Sequence, residues 1–268
     1  MKRLVVVCGL LFVMGGCIYL MFQVERGANG KIGGESLEVY CAAGMQRPVE
    51  EVAALYEAEY GVQMRLNFGG SGQLYAKLAV AGGDLYLPAD RSYIDQADRE
   101  GLVKEALPVS SLTAGLIVAE GNPERIDSLQ DLMREDVSVV LADESAAVGK
   151  FTNEVLAAIG VLAEIERGRM SKVGTVNEVA MQVELGASDV GVVWDALVPQ
   201  FRQCEFIDVV EFKLLPKQAM IGLLKSSQNE SEALEFARYL TARNKGAVIF
   251  KKHGFEVIEG DDYSRGSR

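Results

Sequence analysis

Histidine is nearly absent from this chain: His253 is the only one among 268 residues. It stands in Phe250-Lys-Lys-His-Gly-Phe255, where a lone imidazole beside two lysines and a glycine reads as a helix-end residue. That scarcity excludes a histidine acid–base pair. It also excludes a metal cage, because no cysteine and histidine share ligand spacing. Of the four cysteines, Cys8 and Cys17 lie in an apolar N-terminal run, which leaves Cys41 and Cys204. Two distant cysteines make no disulfide framework and read as separate buried thiols. A basic stripe is also missing: 27 Lys and Arg face 38 Asp and Glu, for a net charge of −11. Nucleic acid and anionic lipid are therefore excluded as main partners. A small anion is not, since neutral dipoles act locally and surface charge is screened over about 8–10 Å. Catalytic signatures are lacking as well. Gly69-Gly-Ser-Gly-Gln73 is not the Gly-x-Ser-x-Gly of a nucleophile elbow, nor does it run into the Gly-Lys-Ser/Thr of a nucleotide loop. The expectation is a protein that is not an enzyme and carries no cofactor.

One long apolar run is present. Met1-Lys-Arg3 precedes an uncharged stretch over residues 4–22, within the length that spans a bilayer. Lys2 and Arg3 hold its start in the cytoplasm and send the rest across. Three fates compete. A signal peptide lacks a clear small-residue cleavage site. A lipoprotein would use Met14-Gly-Gly-Cys17, yet Ile18-Tyr-Leu-Met-Phe22 stays apolar past the cysteine. An uncleaved anchor fits best, and all three place the body outside the cytoplasm. Residues 23–35, with four glycines and no apolar periodicity, form a flexible tether.

Beyond the tether, strand and helix patterns alternate, with no internal repeat. Strands are expected at 37–41, 64–68, 84–87, 112–119, 138–142, 190–194 and 219–224, and β-rich sequence at 206–214. Helices are expected at 48–60, 73–78, 93–100, 149–159, 175–185, 230–240 and 247–252, with a helix start at 128–131. Residues 259–268 read as a frayed polar tail. This rhythm indicates an α/β fold with mainly parallel sheets. Ligands of such folds sit beyond the carboxyl ends of strands. That rule singles out the turns after Cys41, Phe68, Ala142 and Trp194.

The turn after Phe68 is the most informative. A glycine-rich turn opening a helix leaves backbone N–H groups unpaired beside the positive end of the helix dipole, and Ser71 can add its hydroxyl. Such a turn either holds a small anion or is only a tight connection. The acidic cluster Asp84, Asp90, Asp95 and Asp98 reads as solvated faces, with Asp90 starting the next helix as N-cap or in the turn before it.

Several segments together resemble a known family. Leu37-Glu-Val-Tyr-Cys-Ala-Ala-Gly-Met45, Asn67-Phe-Gly-Gly-Ser-Gly-Gln-Leu74 and Gly83-Asp-Leu-Tyr-Leu-Pro-Ala-Asp90 are similar to the periplasmic molybdate-binding proteins of ABC transporters. That family has a strand ending in Ala-Ala-Ser, a Phe-Gly-Ser-Ser-Gly turn and Ala-Asp-Val-Phe-X-Ser-Ala-Asp. Gly191-Val-Val-Trp194 and Phe250-Lys-Lys-His-Gly-Phe255 look like its Gly-Ile-Val-Tyr and Phe-Lys-Lys-Tyr-Gly-Phe. The resemblance spans residues 37–257.

It implies a type II periplasmic binding protein: two α/β lobes joined by crossing strands and closing on a ligand. The crossings would fall near 112–119 and 209–219. Lobe one would comprise 36–112 with 218–258, and lobe two 113–217. Family members hold the oxyanion with hydroxyls and backbone N–H groups, without a countercharge. Carried over, Gly44 takes the place of the first binding serine and Ser71 that of the second. Val148 and Val176 match donors of backbone N–H, and Trp194 matches the binding tyrosine. Gly44 has lost the hydroxyl, and Trp194 offers only an indole N–H. The implied function is capture of molybdate or tungstate by a monomer tethered to the inner membrane in the periplasm, and delivery to an ABC permease. The alternatives are another small anion or solute, or an anchored sensor without transport.

Overall fold

The computed structural model describes residues 36–265. The apolar run at 4–22 and the tether lie outside the described residues. Among the described residues, no helix is long and apolar enough to cross a membrane.

Two mixed sheets organise the chain, one per lobe. The first has the order β11-β4-β10-β3-β1-β2. Its strands are β1 (Ser36–Ala42), β2 (Gln63–Gly69), β3 (Leu85–Leu87), β4 (Val103–Leu112), β10 (Lys217–Leu224) and β11 (Glu256–Val257). The second has the order β7-β6-β8-β5-β9, from β5 (Ala114–Ala119), β6 (Ser138–Ala142), β7 (Arg169–Val173), β8 (Val190–Trp194) and β9 (Cys204–Ile207). The chain passes from the first sheet to the second at Thr113, between β4 and β5. It returns through the short helix Val210–Lys213, which leads into β10.

Helices pack on both sheets: α1 (Gln46–Tyr60), α2 (Ser71–Ala81) and α3 (Arg91–Arg99) on the first, then α4 (Ala147–Ala158), α5 (Leu162–Arg167) and α6 (Val176–Glu184) on the second. The short helix 210–213 is α7, followed by α8 (Glu230–Thr241) and α9 (Gly246–Lys252). Sequence chemistry sets their ends. Gly61 closes α1 in the left-handed region at φ 71°, a conformation that glycine adopts without Cβ strain. Asp90 caps α3 by accepting the Ser92 N–H at 2.8 Å. β8 is buried along its whole length in the middle of its sheet, which its uninterrupted apolar run requires.

The sheets are mixed, not mainly parallel. β1 pairs β2 and β3 in parallel, whereas β10 runs antiparallel to β3 and β4, and β5 runs antiparallel to β8 and β9. The antiparallel pairs are those of the crossing strands, which must traverse each sheet against its βα units. β4 had no strand signal because Pro108 interrupts it. The register of β4 against β10 shifts there, with Ala219 opposite Ser110 but Met220 opposite Pro108, and a bulge is where a strand tolerates proline. β7 was hidden by its polar sequence, which suits an edge strand. Residues 206–214 are strand only to Ile207. Val209 and Phe212 are buried while Val210 and Leu214 are exposed, a spacing of three that fits a helical turn.

The tail is docked rather than frayed through Arg265. Gly260 donates to the Thr241 carbonyl at 2.9 Å, Arg243 grips Asp262 through two bonds, and Arg265 reaches the buried Glu232 at 2.6 Å. Polar composition concealed this because Asp262, Tyr263 and Arg265 find their partners on or just after α8.

Candidate binding cleft

The four turns singled out by the carboxyl-end rule converge on one cavity. Its walls are Ala42, Ala43, Gly44, Gly69, Gly70, Ser71 and Ala89 from the first lobe, and Ala146, Ala147, Val148, Thr175, Val176 and Trp194 from the second. All five residues expected at the site, Gly44, Ser71, Val148, Val176 and Trp194, are thus brought together. The turns after β3 (Ala89) and β7 (Thr175) also contribute, and periodicity alone did not mark them. Among the described residues no charged side chain lines this cavity, and none forms a metal-binding cluster. The room is tight. Only about 20 Å³ is open to the centres of water-sized molecules, which is space for something compact.

The glycine-rich turn is neither an open anion loop nor a mere connection. Gly72 donates its N–H across the cleft to the Ser145 carbonyl at 2.7 Å, and Gly70 donates to the Gln73 side chain at 3.2 Å. Those two donors are therefore engaged by protein. A Cβ on Gly70 would stand 2.8 Å from the Ser145 oxygen, inside van der Waals contact. The glycine serves the approach of the opposite lobe. What remains for a ligand is Ser71, at the first position of α2. Its Oγ accepts the Ala89 N–H at 3.2 Å, so its own proton is free to donate. The Tyr86 hydroxyl, fully buried, fixes this turn by donating to the Ser71 carbonyl at 2.7 Å.

The second lobe supplies two helix starts. Val148 is the second residue of α4, and Gly149 behind it touches backbone so closely that a Cβ would lie 2.1 Å from the Asp143 carbonyl. Thr175 caps α6 and exchanges bonds with Glu178. The first intrahelical bond on that carbonyl comes from Val179, so the Val176 and Asn177 N–H groups precede the helical ladder. Trp194 ends β8 and stacks on Phe151, rings 6.1 Å apart and 12° from parallel. A Cβ on Gly44 would meet Val176 Cγ1 at 3.1 Å and Trp194 Cδ1 at 3.9 Å. The space that a side chain at residue 44 would take is thus narrowed by bulk from the facing lobe.

Further bonds join the lobes around this cavity. Asn177 Nδ2 donates to the Ala43 carbonyl at 3.2 Å. Lys217, on β10, pairs with Asp90 at 3.3 Å and lies 4.3 Å over the Phe151 ring. The cleft is closed. Cys41 and Cys204 are free thiols; burial pushes Cys41 far up and Cys204 up to about 11.

Three comparisons place this architecture. Residues 37–256 match the family model described as bacterial extracellular solute-binding protein. The molybdate-binding protein ModA of Mycobacterium bovis is 28% identical over 233 residues, covering 83% of this chain and 85% of that protein. The periplasmic molybdate-binding protein of Azotobacter vinelandii superimposes with a TM-score of 0.67 at 19% identity, covering 83% of this chain and all of that one. The sulfate-binding protein SubI of Mycobacterium tuberculosis gives 0.72 at 15% identity, with 84% and 87% coverage. The chain belongs to the bacterial extracellular solute-binding protein family.

Proposed function

We propose that this family member captures molybdate or tungstate between its two lobes and hands it to an ABC importer. The observation that carries the reading is the composition of the cavity: helix-start N–H groups and one free hydroxyl, drawn from both lobes, with no charged side chain among the described lining residues. A dehydrated dianion needs many donors, since an unpaired charge in a closed cleft is very costly. It needs no countercharge when fixed dipoles surround it. The ModA relative supports the choice of oxyanion.

In the proposed complex Ser71 donates its hydroxyl and N–H, Gly44, Val148 and Val176 donate backbone N–H, and Trp194 offers its indole N–H. The ligand draws together lobe one (36–112 and 218–258) and lobe two (113–217), which rock about the two crossings. The closed form docks on a permease as a monomer, with residues 4–22 holding the protein to the inner membrane on its periplasmic side.

Trp194 is the only tryptophan in the chain, so indole emission, excited at the red edge where tyrosine does not absorb, reports on this cavity. Sodium molybdate should change that emission saturably. A flat titration contradicts the reading. Stimulation of a permease ATPase by the loaded protein separates import from sensing, and no stimulation would favour the sensor.

A further inference from the structure

We propose that Asn177 is a positioning residue of the anion site, aiming the Gly44 N–H into the cavity once the lobes meet. This rests on the oxyanion reading above. Asn177 belongs to α6 of the second lobe, while its bond partner, the Ala43 carbonyl, belongs to the first. The Ala43 carbonyl and the Gly44 N–H are two ends of one peptide unit, and the described backbone contains no cis bond. In a planar trans peptide they point in opposite directions. A donor that holds the carbonyl from one side therefore fixes the direction of the N–H on the other. The same carbonyl accepts the Gln46 N–H, so both of its acceptor positions are occupied and the plane is pinned from two sides.

Two observations explain why this matters in this chain. Residue 44 has no side chain, so its N–H is the one donor it can give, and an error in peptide orientation cannot be made up by a hydroxyl. Moreover, Asn177 Oδ1 is buried with no hydrogen-bond partner. Leaving an amide oxygen unpaired is unfavourable, and an apolar residue would avoid that cost. The Nδ2 bond to Ala43 is what the amide supplies in exchange. Because Asn177 also follows Val176 at the start of α6, closure brings the Val176 and Gly44 donors into place in one movement. Asn177 thereby couples lobe closure to completion of the donor set.

The test compares the native protein with Asn177→Ala and Asn177→Leu, using sodium molybdate, calorimetry and stopped-flow Trp194 emission. A charge-assisted bond held in register predicts affinity about tenfold weaker in both variants. The loss should fall on the dissociation rate, with the association rate within about threefold. The melting temperature without molybdate should be unchanged, because in the proposed cycle the ligand-free lobes stand apart and the bond forms only on closure. A merely structural residue would lower that temperature and leave the dissociation rate alone. Native-like affinity and dissociation in both variants overturn the role of Asn177 alone. Absence of molybdate binding by the native protein overturns the oxyanion reading, and this inference with it.

Discussion

The two walls of the cleft solve one problem with opposite materials. The first-lobe wall is made of small residues and is held by internal hydrogen bonds: Tyr86 to the Ser71 carbonyl, and the Ala89 N–H to Ser71 Oγ. The second-lobe wall is bulky and is held by ring packing: Trp194 on Phe151, and Phe151 on Phe212 at 5.6 Å. Where the first wall loses a side chain at Gly44, the second fills the space with Val176 and Trp194. Smallness on one side permits approach, and bulk on the other decides how much room is left. Donors come from backbone on both sides, so substitution changes cavity size more readily than its polarity.

The widest test of that contrast is Gly70→Ala. Its Cβ would press on the Ser145 carbonyl at 2.8 Å, and backbone cannot yield as a side chain can. Overpacking of about 1–3 kcal/mol, borne only by the closed state, predicts molybdate affinity reduced by up to about 100-fold, with the melting temperature of the ligand-free protein unchanged. A binding isotherm equal to the native one would show that the lobes do not need this approach.

Ser71→Ala comes next. If its hydroxyl donates to the dianion, affinity should fall about tenfold or more, and unchanged affinity removes it from the site. Gly44→Ser probes the compensation between walls. The 3.1 Å approach to Val176 predicts a loss of about fivefold in the single variant, an overpacking cost near the low end of about 1 kcal/mol. Combining it with Val176→Ala should recover that loss and more, since room for a hydroxyl donor then exists. A single variant that binds tighter than the native protein would mean that the second wall does not occupy the space.

The smallest effect concerns thiols. Burial raises both cysteines, and the thiolate is the reactive form. Native protein at pH 8 should therefore react slowly with a disulfide reagent at Cys41 and Cys204, and molybdate affinity should survive the treatment. Rapid modification of Cys41 would indicate that the first lobe opens locally.

Much of this site was legible from residues alone, through the rule that ligands sit beyond strand ends. It marks the turns after β1, β2, β6 and β8. Ala89 and Thr175 escaped it. β3, Leu85–Leu87, is legible as a strand, but so short a strand did not single out the turn that follows it; β7 is an edge strand with charged residues and carries no periodic signal. The purpose of Gly70 was hidden for another reason: its need is set by Ser145 of the other lobe, a contact that no local pattern encodes. Asn177 is similar, because its partner is a carbonyl and not a matching side chain. The helix start it sits on was readable from Thr175 and Glu178 as a capping box. Pro108 shows the reverse case, where a sound local rule against strands is overridden by a bulge in the crossing strand.

The central claim is that a charge-free cavity closes on a tetrahedral oxyanion of one size class. Calorimetric titration of the purified protein with molybdate, tungstate, sulfate and phosphate tests it most directly. Similar tight binding of molybdate and tungstate is expected, with sulfate weaker by about 100-fold, or about 2.7 kcal/mol, because donors set for the larger ion leave the smaller one under-coordinated. Binding of none of the four, or a preference for sulfate, would contradict the account.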